Sequence, residues 1–200
     1  MKDTFTDRIT DRQLEIIQAA GRILTSSGIS GLTIKNLAKE MQFSESAIYR
    51  HFTSKEEIII ALLEYLAEAI KTNDSKILET SISPEEKFTL LFSNLILFFD
   101  KNPHFVVAVF SDGLLEESQR INETIMKIMT IKIKHLLPII LEGQKSRLFT
   151  SSVSAEDLIH IVIGAVRLMM FKWRVSNFDF DIKTKGEQMI KSLLTLIKYK

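Results

Sequence analysis

The chain has no cysteine, and only 7 glycines, 3 prolines and 1 tryptophan among 200 residues. Without thiols there is no disulfide scaffold, no thiolate nucleophile and no sulfur-ligated metal, and the absence suits a reducing compartment. So few glycines and prolines leave few obligatory turns. No long window alternates β-branched with polar residues, which leaves an all-α chain. A glycine-rich phosphate loop is also missing. Formal net charge is only +1, which excludes a basic coat protein, so affinity for a polyanion has to come from a local patch. The N-terminal MKDTFTDRIT has no apolar stretch of signal-peptide length, and no later run approaches a membrane span. The expectation is a cytoplasmic protein with no membrane partner.

What is present is a chain that is 46% hydrophobic and 26% charged, long enough for a small domain joined to a larger one. Its most informative stretch is TIKNLAKEMQFSESAIYRHFTSK, from Thr33 to Lys55. Thr33 can cap a helix whose apolar positions Ile34, Leu37, Ala38 and Met41 recur at helical spacing. Gln42, Phe43 and Ser44 interrupt that pattern, and Ser44 can cap a second helix from Glu45 to about His51. Ile48 and Phe52 share its inward face, which turns Ser46, Ala47, Tyr49 and Arg50 outward. The pattern is that of a helix-turn-helix.

Such a helix needs small residues near its start to approach base edges, and hydroxyl, phenol or cationic groups for phosphates. Ser46 and Ala47 are small; Tyr49, Arg50 and His51 can donate to phosphate oxygens, and Lys55 adds a point charge. Thr33 and Lys35 can do likewise from the first helix. Glu45 runs against this chemistry and is better placed complementing its own helix N-terminus. Taken singly, each residue is more often an ordinary part of a helical hairpin than a DNA contact; the spacing of the whole set favours DNA.

Ile34, Leu37, Ala38, Phe43, Ser44, Ala47, Ile48, Tyr49, His51, Phe52, Ser54, Lys55 and Glu56 resemble the signature of the tetracycline-repressor (TetR) family. Upstream, Ile16, Ala19, Ala20, Leu24, Gly28, Leu32 and Thr33 resemble that family's first helix and the glycine turn closing it. The resemblance covers about the first third of the chain. It implies a three-helix DNA-binding domain over residues 1–53 and a helical ligand-binding and dimerisation domain over 54–200.

Helices are expected from Thr10 to Ser27, onward from Ser54, from Pro84 to Lys101, from Pro103 to Phe110, from Leu115 to Gly143 with a bend at Pro138, from Ser154 to Val175, and from Asp181 to Tyr199. The family resemblance implies a cavity for a small lipophilic or amphipathic effector, with Phe92, Phe99, Phe105, Val109, Met126, Met129 and Met169 as wall candidates. The plainer account is that these side chains fill a helical core. Arg167 lies in the apolar run LIHIVIGAVRLMMF, and a buried guanidinium calls for an anion, supplied by a ligand or by an ion pair, the commoner solution. His160, Gly164, Arg167 and Phe171 share one face, and Ile190, Leu193, Leu194 and Ile197 form a stripe near the chain end. Both are candidates for a homodimer interface.

The carboxylate pairs Glu56-Glu57, Glu85-Glu86 and Glu116-Glu117 diverge in direction on a helix, and His104, His135 and His160 lack metal-binding spacing. No enzyme, cofactor or metal is expected. The expected function is that of a repressor released from operator DNA by its effector; the rival is a spatial or architectural factor using the same fold.

Overall fold

The computed structural model describes residues 9–110 and 118–199. Among them nine α-helices are found and no strand beyond a single antiparallel bridge, Phe149 to Lys198. The helices are α1 (Asp11–Gly31), α2 (Ile34–Met41), α3 (Glu45–Tyr49), α4 (Lys55–Leu78), α5 (Pro84–Lys101), α6 (Pro103–Val109), α7 (Gln119–Lys145), α8 (Ala155–Val175) and α9 (Ile182–Ile197). The Glu116-Glu117 pair lies outside the described residues, as does the expected start of α7 at Leu115. Two compact units emerge: Met1–Ala69 with Asn102–Ile128, and Ile70–Lys101 with Met129–Lys200.

In the first unit, α1 opens on a reciprocal cap: Thr10 Oγ1 accepts from the Gln13 amide at 3.2 Å, and Gln13 Oε1 accepts from the Thr10 amide at 3.0 Å. The expected end at Ser27 is exceeded. Gly28 takes φ 65°, a conformation open to glycine, and the chain then makes one more turn to Gly31. Ile16, Ile17, Ala20 and Leu24 of α1 are buried, as are Leu37, Ala38, Ile48 and Phe52.

This unit reaches beyond the expected head of residues 1–53 because α6 packs on α1. A Cβ at Gly21 would lie 2.9 Å from the His104 ring, so the glycine lets the imidazole rest on the helix backbone. Burial pushes His104 down to about 4 from an ordinary 6.5. Between those values the unfolded chain binds a proton that the folded chain refuses, so stability falls as pH drops from 6.5 to 4. We expect His104→Gln to flatten that slope, measured as the urea midpoint against pH.

In the second unit, α5 carries Pro84 at its start behind a reciprocal Ser83 and Glu86 cap. The α9 helix packs chiefly on α5, with Gly186 admitting Ile96 where a Cβ would overlap it. Gly143 in α7 similarly leaves room for the fully buried Phe149 ring. The expected continuation of α9 to Tyr199 is corrected. After Ile197 the chain extends and pairs with the loop following α7: Thr150 N donates to Ile197 O at 2.7 Å, and Tyr199 N to Leu148 O at 2.9 Å. Pro138 is accommodated inside α7.

One buried cluster in this unit was not anticipated. Lys132 Nζ donates to Asp74 at 3.0 and 3.3 Å and to the Leu91 carbonyl at 3.3 Å, and sits 5.3 Å from the Phe92 ring centre. His135 Nδ1 lies 3.6 Å from the same carboxylate. The side chains of Asp74, Lys132 and His135 are all buried. Burial pushes Lys132 down to about 8 although Asp74 pulls the other way.

Candidate nucleic-acid interface

The turn between α2 and α3 is built from its sequence. Thr33 Oγ1 accepts from the Asn36 amide at 3.1 Å to start α2. Gln42 ends it in the left-handed region at φ 57°, and the Phe43 amide reaches back to Ala38 O at 2.8 Å, which satisfies carbonyls the helix leaves open. Two residues on, Ser44 Oγ accepts from the Ala47 amide at 3.2 Å and starts α3. The tight turn therefore fixes where the second helix begins and which way it faces.

Ile48 is fully buried and Phe52 nearly so, and this anchoring decides the outward set. Ser44, Glu45, Ser46, Tyr49 and Arg50 are exposed, Tyr49 by 49%, and Ala47 is half-buried. The expected orientation of α3 is the observed one. Regular helix stops at Tyr49, with Arg50 as its cap and half-buried His51 in the following turn, two residues short of expectation. Thr33 and Lys35 are exposed on α2, and Lys55 opens α4 half-buried. Glu45 occupies the first turn, where a carboxylate complements the helix N-terminus. One face thus combines small side chains, hydroxyls, a phenol and cations, the groups that reach base edges and phosphates.

Residues 16–62 match the bacterial regulatory proteins of the tetR family. Over 174 residues the chain is 32% identical to the nucleoid occlusion factor SlmA of Vibrio campbellii, covering 86% of this chain and 88% of that protein. The chain belongs to the TetR family. SlmA of Vibrio vulnificus is 31% identical over 191 residues, 94% of this chain and 97% of the relative. Among solved structures, the fatty acid degradation regulator FadR of Bacillus halodurans superposes with a TM-score of 0.83 at 16% identity, covering 96% of this chain and 99% of the other. FadR of Bacillus subtilis in complex with stearoyl-CoA gives 0.78 at 19%, covering 92% and 98%. At those identities the likeness is one of fold. This TetR-family chain is a DNA-binding regulator.

The other sites suggested by the sequence fare unevenly in this TetR-family fold. Phe105, Val109 and Met126 lie in the first unit, whereas Phe92, Phe99, Met129, Arg167 and Met169 lie in the second. Phe92, Phe99 and Phe105 are packed core, and Met126 is exposed. Arg167 is exposed, so the burial that called for an anionic partner is corrected: its position on α8 faces outward. His160, Gly164 and Phe171 are exposed on the same helix. Ile190, Leu193 and Ile197 turn inward and are covered within the chain, with Leu194 half-buried, because α9 packs on α5. That stripe is therefore not a free surface.

The apolar surface of α8 and α9 lies elsewhere. Ile161, Leu168, Phe171 and Val175 on α8 and Leu196 on α9 are exposed, Leu168 by 59%. A groove of about 490 Å³ is lined by Ala165, Leu168, Met169, Phe180 and Met189, with Lys172 and Lys185 completing the lining. The two described carboxylate pairs diverge: Glu56 accepts from Ser118 and Arg120, while Glu57 accepts from the Thr53 amide at 2.9 Å. Glu86 serves its helix cap and Glu85 lies 3.8 Å from Lys198. Among the described residues no group of three metal-ligating side chains is found, and no helix is long and apolar enough to cross a membrane.

Proposed function

We propose that the chain acts as a homodimer holding palindromic DNA sites through α3, as a nucleoid-occlusion-type factor. The outward Ser46, Ala47, Tyr49 and Arg50 set carries the DNA half of this reading. The output half is supported by relatives named nucleoid occlusion factors that match 86–94% of the chain. The exposed apolar face of α8 and α9 supports a two-fold dimer, which presents two heads to half-sites about 34–36 Å apart.

A second reading, a repressor released from its operator by a lipophilic or amphipathic effector, is favoured by the shared fold with a regulator bound to stearoyl-CoA. Release would require different affinity of the effector for DNA-bound and free forms. Occupancy mapped across the chromosome separates the two: sites spread without regard to promoters, held in the presence of stearoyl-CoA, support the first. One promoter-proximal operator emptied by stearoyl-CoA overturns it in favour of the second.

At the DNA face, Tyr49→Phe and Lys55→Ala should weaken binding to every duplex by roughly tenfold at most, with Lys55→Ala reducing the salt slope by about 1. Changes at Ser46 or Ala47 should instead shift base preference. Fluorescence anisotropy over a salt series reads both, and unchanged affinity and preference in all of these variants would remove α3 from the interface.

A further inference from the structure

Two consecutive side chains in the first turn of α1 reach opposite ends of the DNA-reading helix. At its entrance, the Arg12 guanidinium stands 5.0 Å from the centre of the Phe43 ring, one residue before the Ser44 cap. At its exit, Gln13 Nε2 donates to the His51 carbonyl at 3.2 Å. The other end of the Gln13 amide is already fixed, because Oε1 accepts from the Thr10 amide at 3.0 Å and from the Thr10 hydroxyl at 3.2 Å. Those three bonds settle the orientation of the amide: the oxygen must face Thr10 and the nitrogen must face His51.

A glutamate at this position would keep the acceptor for Thr10 but set a second oxygen against the His51 carbonyl. A methionine would keep the length and lose all three bonds. Only a side chain with a donor and an acceptor on one planar end does both tasks here. The His51 carbonyl matters because α3 has only five residues, too short to hold its own direction by internal hydrogen bonding. Its aim has to be set from outside: Ile48 and Phe52 anchor its inner face, and Phe43 before it and His51 after it tie its two ends.

We infer that Arg12 and Gln13 form a clamp that sets the angle of α3, with Gln13 a positioning residue for sequence discrimination rather than a DNA contact. This rests on α3 being the helix that reads DNA. A base contact is lost by a displacement of an ångström or so, whereas attraction between cations and phosphates is broad in geometry. Loosening the clamp therefore lowers specific affinity and leaves general affinity in place.

The test uses a duplex enriched from a random pool by the full-length wild-type protein, and a scrambled duplex of equal length. In Gln13→Met and Gln13→Glu the ratio of affinities for the two should fall about tenfold. In Gln13→Met, which adds no charge, affinity for the scrambled duplex should stay within about twofold. Thr10→Ala removes the hydroxyl, one of two donors to Gln13 Oε1, but keeps the backbone amide that orients the side chain and spares the bond to His51, so it should lower the melting temperature and leave the ratio intact. The Phe52 amide shares a peptide group with the His51 carbonyl, and its nitrogen resonance should move in both Gln13 variants but not in Thr10→Ala.

An unchanged ratio in the Gln13 variants, or an equal fall in Thr10→Ala, overturns the clamp while leaving DNA reading by α3 in place. Failure of the wild type to enrich any duplex overturns both.

Discussion

Asp74→Ala is expected to lower the unfolding free energy by about 3–5 kcal/mol, the usual cost of leaving one member of a buried ion pair without its partner. Asp74 and Lys132 are both almost wholly inside the second unit, and the carboxylate is the only counter-charge among the groups that hold the ammonium there: the remaining two are the Leu91 carbonyl and the face of Phe92. In the variant the lysine's escape is to release its proton. Its folded pKa already stands near 8, below the unfolded 10.5, and drops further without Asp74. The unfolded form then binds more protons than the folded form, so stability rises with pH and the deficit narrows between about pH 7 and 9. Urea titrations at both pH values read the effect. The double variant Asp74→Leu with Lys132→Met should recover most of the loss, since an apolar pair removes the desolvation cost along with the attraction. A single variant as stable as the wild type would show that the pair is solvated in solution.

Leu168→Glu is expected to abolish dimerisation and with it tight binding to palindromic DNA. Leu168 stands in the middle of the exposed apolar stripe of α8 and lines the groove to which Lys185 and Met189 of α9 also contribute. In a two-fold contact the substitution appears in both copies, so two carboxylates are placed in an apolar seam close to each other. Sedimentation should show a monomer. A head binding alone loses the effective-concentration advantage of its twin, about 100-fold or more in affinity for a palindrome, while affinity for an isolated half-site stays at the wild-type level. A Leu168→Glu protein that remains dimeric would move the interface to another face of the chain.

The head was legible in the sequence because every signal there is local. Thr33 and Ser44 cap helices within three residues, and buried Ile48 fixes the direction of its neighbours by helix geometry alone. What failed depended on contacts distant in sequence. Ile190, Leu193 and Ile197 form an apolar stripe whichever surface covers them, and the packing of α9 on α5 chose the chain's own core. Arg167 sits in an apolar run, but a run on a helix has an outer side, and the same run exposes Leu168. The buried cluster left a trace that pattern reading passed over: Asp74 continues the buried stripe of Leu63, Leu66 and Ile70, and Lys132 that of Ile125 and Ile128. Two opposite charges on inward stripes of separate helices are a sign of pairing. Gln13 left no such sign, since its partner is a backbone carbonyl 38 residues away.

The alternation around Ile48 bears on how proteins of this kind diversify. The residue that locks α3 to its support points inward, while Ser46, Tyr49 and Arg50 beside it face solvent in the free protein. A duplicated gene can therefore acquire a new address on the chromosome by exchanging a few solvent-facing letters, with foldability inherited unchanged from its parent.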